Sequence, residues 1–97
     1  MTNHRRYSSP AYDELMANHA ICLLTYVAEN PNCRQTYYSL SKATGIPQGT
    51  VWDLINWSHY MAPRSGEPLF VWGKKLGYIV EIVGRRGLLM TVSCSTI

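Results

Sequence analysis

The longest periodic pattern lies near the start of the chain. Tyr12, Leu15, Met16, His19, Cys22, Leu23, Tyr26 and Val27 recur every three or four residues, the spacing of one face of an α-helix. Ser9 and Pro10 precede the pattern as cap and first helical residue, with Asp13 and Glu14 in the first turn, where acids suit the helix dipole. A helix from Ala11 to about Glu29 is predicted, ended by Asn30-Pro31-Asn32, because Pro31 disfavours a helical residue before it. Residues 1–8 are polar and expected to be loose. At the other end the pattern is β-rich. Tyr78 to Val83 and Leu88 to Ser93 flank the tight turn Gly84-Arg85-Arg86-Gly87, predicting a β-hairpin over 78–94. Ile79 and Val83 are not on the face of Val80 and Ile82, so both hairpin faces carry aliphatics. One face is expected to pack on the helices and the other to be open to a second subunit.

The central stretch, Leu40 to Ile55, reads as two short helices joined at one glycine. Thr36 is the expected cap of the first, Tyr37 to Thr44, whose inner side is formed by Leu40, Ser41, Ala43 and Thr44. Gly45 stands where the helix must stop, a position that often takes φ > 0. Ile46 follows as a buried plug. Pro47 pre-sets a first helical turn, and Val51, Leu54 and Ile55 give a second helix, 47–59, its apolar edge. Its other edge carries Gln48, Gly49, Thr50, Trp52, Asp53, Asn56 and Trp57. Of the two tyrosines that open the first helix, Tyr37 and Tyr38, one is expected to pack beside Leu40 and the other to face outward.

This spacing resembles the helix-turn-helix of the phage-repressor and Xre-like DNA-binding families. A small residue (Ser41, where alanine is usual), a glycine four residues on (Gly45), the aliphatic after it (Ile46) and aliphatics five and eight beyond that (Val51, Leu54) carry the likeness. The match covers about a fifth of the chain. The bland alternative for the same residues is a corner of a helical bundle. The resemblance implies a DNA-binding transcriptional regulator with a mainly α fold: a helix-turn-helix domain of four to five helices, 9–97, with a C-terminal β-hairpin.

Residues 69–77 admit two readings. As a helix, Leu69, Trp72 and Leu76 line one side, Lys74 and Lys75 the other, and Gly77 is the stop. The resemblance favours this, since a short helix ending in Leu-Gly leads there into a strand; Trp72 and Gly73 depart from the pattern. As a strand, the stretch would make the chain a winged helix.

With 97 residues and net charge +3, the chain is one domain with a mild basic excess. In residues 1–30, Arg5 and Arg6 stand against Asp13, Glu14 and Glu29, a net of −1. In residues 31–97, Arg34, Lys42, Arg64, Lys74, Lys75, Arg85 and Arg86 stand against Asp53, Glu67 and Glu81, a net of +4. The basic share travels with the central helices, the direction phosphate binding requires, although a solvated surface explains it equally. Cys22, Cys33 and Cys94 form no C-x-x-C, so neither a disulfide framework nor a zinc site is read, and His4, His19 and His59 have no metal spacing. No signal peptide and no membrane span are read, and a cytoplasmic location is expected.

Catalysis finds little support. Asp13 and Glu14 face different ways on a helix, and Cys22 with His19 lies within an apolar stripe. No glycine-rich phosphate loop is present, and neither enzyme activity nor a cofactor is expected.

The expected partner is double-stranded DNA. A helix fits the major groove, where amide side chains pair with an adenine edge. Gln48, Gly49, Thr50, Trp52, Asp53 and Asn56 are the candidate base contacts. Asp53 would be costly near phosphate unless it accepts from a cytosine amino group; capping or pairing locally is its other reading. Arg34, Tyr38, Lys42, Arg64 and the tip residues Arg85 and Arg86 are the candidate phosphate contacts, and Gln35, beside Arg34, is a further flank position. A homodimer reading two half-sites about one helical turn apart is expected. The competing expectation is a protein-interaction module, an antitoxin or an inhibitor of a host protein, with Tyr37, Tyr38, Trp52 and Trp57 as hot spots.

Overall fold

The computed structural model describes the backbone of residues 10–61 and 68–94 and the side chains of residues 14–56 and 68–94. The expected loose N-terminus, the Ser9 cap, the loop with Arg64 and the side chains of Tyr12 and Trp57 lie outside the described residues. Four helices, α1 (Pro10–Glu29), α2 (Tyr37–Thr44), α3 (Gln48–Met61) and α4 (Pro68–Leu76), precede an antiparallel hairpin of β1 (Tyr78–Arg85) and β2 (Leu88–Cys94). The fold is mainly α with a C-terminal hairpin. The stretch 69–76 is helix, and its last turn gives way to Gly77 at φ 84°.

The α2–α3 corner forms for reasons held in its side chains. Thr36 caps α2 by accepting from the Ser39 N–H at 2.9 Å, and the Ser39 hydroxyl accepts from the Thr36 N–H at 2.9 Å. This reciprocal pair satisfies two N–H groups that the helix start would otherwise orphan. Gly45 ends the helix at φ 80°, its N–H donating to the Ser41 carbonyl at 2.8 Å. Ser41 and Thr44 then stitch the turn. The Ser41 hydroxyl donates to the Ile46 carbonyl at 2.6 Å, and the Thr44 hydroxyl donates to the Leu40 carbonyl and accepts from the Ile46 N–H. Alanine at 41, the residue usual in the resembled pattern, could make no such bond. Ala43 corrects an expectation: it is exposed, leaving Leu40 as the buried anchor of α2. The Pro47 carbonyl accepts from the Thr50 and Val51 N–H groups and so starts α3.

The core gathers at the centre. Leu40, Ile46, Val51, Leu54 and Ile55 from the corner meet Leu69 of α4 and Leu89 and Met90 of β2. From α1 the buried residues are Met16, Ala20, Leu23, Leu24 and Val27, while Leu15 is 50% exposed and Cys22 is exposed. The expected stripe therefore turns toward Ala20 and Leu24. Ala20 to Leu24 is an unbroken apolar run, so two overlapping stripes are legible, and α1 uses the one that packs on α4 and β2.

Gly73 explains itself. It is buried in α4, and a Cβ there would sit 2.5 Å from Val80 Cγ2, so glycine lets α4 lie directly on β1. In the sheet, Val80 faces Val92 and Ile82 faces Met90 across the strands, and these residues pack on the core. Ile79 and Glu81, opposite Ser93 and Thr91, take the other face. Ile79 is 57% exposed there among polar neighbours. Ile79 thus takes the face opposite to Val80 and Ile82, as expected, with few apolar neighbours around it. Nearer the tip the register shifts between Ile82 and Arg85, so Val83 and Gly84 stand opposite Leu89 alone, a β-bulge.

Gln35 was placed beside Arg34 as a flank position. It is instead 1% exposed, the one buried polar residue among those described. Its N–H donates to the Gly87 carbonyl at 3.0 Å, and its Oε1 accepts from the N–H groups of Leu89 and Met90 at 2.9 and 2.8 Å. A single residue ahead of α2 thus joins the hairpin's edge and satisfies donors that an edge strand leaves open.

Candidate nucleic-acid interface

The outward side of α3 follows from the inward one. Val51, Leu54 and Ile55 are buried, so at about 100° per residue the arc through Gln48, Trp52, Asn56, Gly49 and Asp53 lies away from the core. Gln48 and Gly49 are exposed, Trp52 is 47% exposed, and Asp53 and Asn56 are half-buried. Thr50 lies beyond Asp53 on the flank, half-buried next to the Leu54 side. A Cβ added at Gly49 would meet nothing within 4 Å, so the turn ahead of Asp53 is open.

Asn56 differs from its neighbours. Its Nδ2 donates to the Tyr37 hydroxyl at 3.0 Å and to the Trp52 carbonyl at 3.0 Å. Both amide hydrogens are engaged within the protein, and Oδ1 is the atom left for an outside donor. Tyr37 is accordingly the inward tyrosine, packed against the core, and its hydroxyl links the start of α2 to the later half of α3. Tyr38 is the outward one, 61% exposed, with Lys42 Nζ 5.7 Å from its ring centre. Asp53 makes no side-chain hydrogen bond or ion pair with any other described residue. The local partner that sequence allowed for it is thus not found among the described residues.

The basic candidates fall into two groups. Lys42 stands on the last turn of α2, near the turn that leads into α3. The Gln35–Gly87 bridge is antiparallel, so it sets Thr36 toward the turn that carries Arg85 and Arg86 and Arg34 toward Leu88. The side chains of Lys42, Arg34, Arg85 and Arg86 are exposed. Arg34 and the tip pair Arg85 and Arg86 thus lie on either side of that bridge, while Arg64 lies outside the described residues. Lys75 instead covers the Trp72 ring at 4.4 Å on α4. Gln35 is the residue that sequence reasoning missed, the one that joins the start of α2 to the hairpin. A glutamine just ahead of a capped helix is the only trace of it in the sequence, and its acceptor role depends on a strand far along the chain.

Among the described residues no three His, Cys, Asp or Glu side chains come together as a metal site, and no helix is long and apolar enough to cross a membrane. A shallow open depression lined by Cys22, Thr25, Tyr26, Glu29, Ala43 and Thr44 lies between α1 and the end of α2, with no paired acid and base in it. Compared with known proteins, the chain matches no family model, no curated protein and no solved structure.

Proposed function

We propose that the protein is a sequence-specific DNA-binding transcriptional regulator, a small repressor of phage or bacterial kind that works in the cytoplasm as a homodimer, with α3 in the major groove. The observation that carries this reading is the outward arc of α3. Gln48, Gly49 and Trp52 are exposed and Asp53 is half-buried, on a helix whose opposite side is anchored in the core. A helix fixed on one side and offering an amide, a carboxylate and an indole on the other has the shape and chemistry that reading base edges requires. Lys42 and Tyr38 on α2, with Arg34 and the tip residues Arg85 and Arg86, supply the sequence-independent phosphate contacts.

The test is selection of tight binders from random duplex DNA at several salt concentrations. An enriched palindromic site, with affinity falling steeply with salt, supports the reading. Weak, unselective binding that vanishes at physiological salt overturns it. Gln48→Ala should then cost about 1–3 kcal/mol on the selected site, the worth of a good bidentate base pair contact.

One observation favours a second reading, a protein-interaction module such as an antitoxin or an inhibitor of a host protein. Tyr38 and Trp52 are large exposed aromatics, the residue types that dominate protein interfaces. On that reading Trp52→Ala abolishes capture of a protein partner and Gln48→Ala leaves it unchanged.

A further inference from the structure

Asp53 is the anomaly of the α3 face. It is an acceptor-only group on a surface whose partner, on the reading above, is a polyanion. It lies at the end of the outward arc, beyond Gly49, half-buried and with no donor among the described residues. Gly49, one turn earlier, has no side chain, and a Cβ there would meet nothing within 4 Å. Among the described residues, none hydrogen-bonds or pairs with its oxygens.

We propose that Asp53 is a specificity-determining residue that selects cytosine at one position of the bound site. This inference rests on the DNA-binding reading. The pattern of donors in the major groove carries it. Only two groups there donate hydrogen bonds, the N4 amine of cytosine and the N6 amine of adenine. Adenine N6 is flanked on both sides by acceptors, its own N7 and the O4 of the paired thymine, and these repel a carboxylate's second oxygen. Cytosine N4 has an acceptor on one side, guanine O6, and a C5–H on the other. The carboxylate therefore meets one donor and one neutral edge at cytosine, and one donor between two acceptors at adenine. Guanine and thymine offer no donor in that groove. Away from a cytosine the same charge is repelled by phosphates, so Asp53 raises selectivity by weakening every other register.

Asp53→Asn and Asp53→Ala distinguish this from a solvated surface charge. Both sit on an exposed helix face and are expected to leave the fold intact, which circular dichroism checks. Selection from random duplexes with the wild-type protein should enrich a cytosine at one fixed position. With Asp53→Asn, whose amide both donates and accepts, that position should change to adenine while the others stay. With Asp53→Ala it should lose preference, the cytosine site weakening by about 5- to 150-fold relative to its best competitor, while binding to random DNA tightens. Both variants enriching the same base as wild type at every position overturns the assignment and leaves the DNA-binding reading standing. A wild-type protein that enriches no site overturns both.

Discussion

At the scale of single residues, Gln35 matters most to the shape of the molecule. It is buried, and one carbonyl oxygen serves two successive N–H groups of β2. Removing that oxygen leaves the donors of Leu89 and Met90 buried and unsatisfied, at about 1–3 kcal/mol each before relaxation. Gln35→Ala is therefore expected to lower stability by about 2–4 kcal/mol, read as the urea midpoint. Arg34→Ala, one residue earlier and exposed, should change it by no more than about 0.5 kcal/mol. Equal effects at the two positions would mean that the Gln35 bonds contribute nothing net. Residue by residue, what was legible in the sequence is what local chemistry decides. The Thr36 cap, the Gly45 stop and the Gly77 stop each need only their neighbours. Gln35 was not legible because its partners are residues 87, 89 and 90, and no local pattern marks a side chain that completes a distant strand. The same holds at the candidate interface. The outward arc of α3 could be read from the spacing of Val51, Leu54 and Ile55, but the engagement of Asn56 with Tyr37 could not, since it depends on how α2 crosses α3.

At the scale of elements, the hairpin and α4 form one packing unit. The helix–strand contact passes through Gly73 and Val80, where a single added carbon would meet Val80 Cγ2 at 2.5 Å. In an exposed helix alanine is favoured over glycine by up to about 1 kcal/mol. Here the sign should reverse, with Gly73→Ala costing about 1–3 kcal/mol, the usual range for overpacking a core. Combining it with Val80→Ala removes the obstructing methyls, so the double variant should be more stable than the sum of the two single losses predicts. Strict additivity in that cycle would show that the helix shifts freely and that the close approach is not what demands glycine. This is also why Gly73 looked like a departure when only the helix pattern was considered: its reason lies in the next strand, not in α4. The rotation of the buried face of α1 has a similar origin. Five consecutive apolar residues, Ala20 to Leu24, leave the choice of face to the elements that pack there.

At the scale of the whole molecule, four exposed cations are the candidate phosphate contacts among the described residues. Lys42 stands beside the turn that opens α3, Arg85 and Arg86 stand at the hairpin turn, and Arg34 lies on the other side of the bridge by which Gln35 holds the hairpin near the start of α2. That start is itself tied to the later half of α3 through Tyr37 and Asn56. Each phosphate neutralised releases counterions and steepens the salt dependence of binding to duplex DNA by about 0.9 in the log–log slope. Four such groups predict a slope of roughly −3.6 for one copy of the chain on DNA and roughly twice that for two copies. Replacing Arg34, Arg85 and Arg86 together by alanine should flatten the slope by about 2.7 per copy while leaving the selected sequence unchanged, because phosphates position the protein and do not specify the site. Gln48→Ala should do the reverse, relaxing the sequence preference at an unchanged slope. The size of the wild-type slope also bears on assembly. The described sheet offers a second subunit little apolar area around Ile79, so a two-copy slope would imply that the dimer is held through another surface or by the half-sites themselves. A slope unmoved by the triple substitution would mean that these three arginines face away from the duplex. The hairpin would then serve only to support the helices.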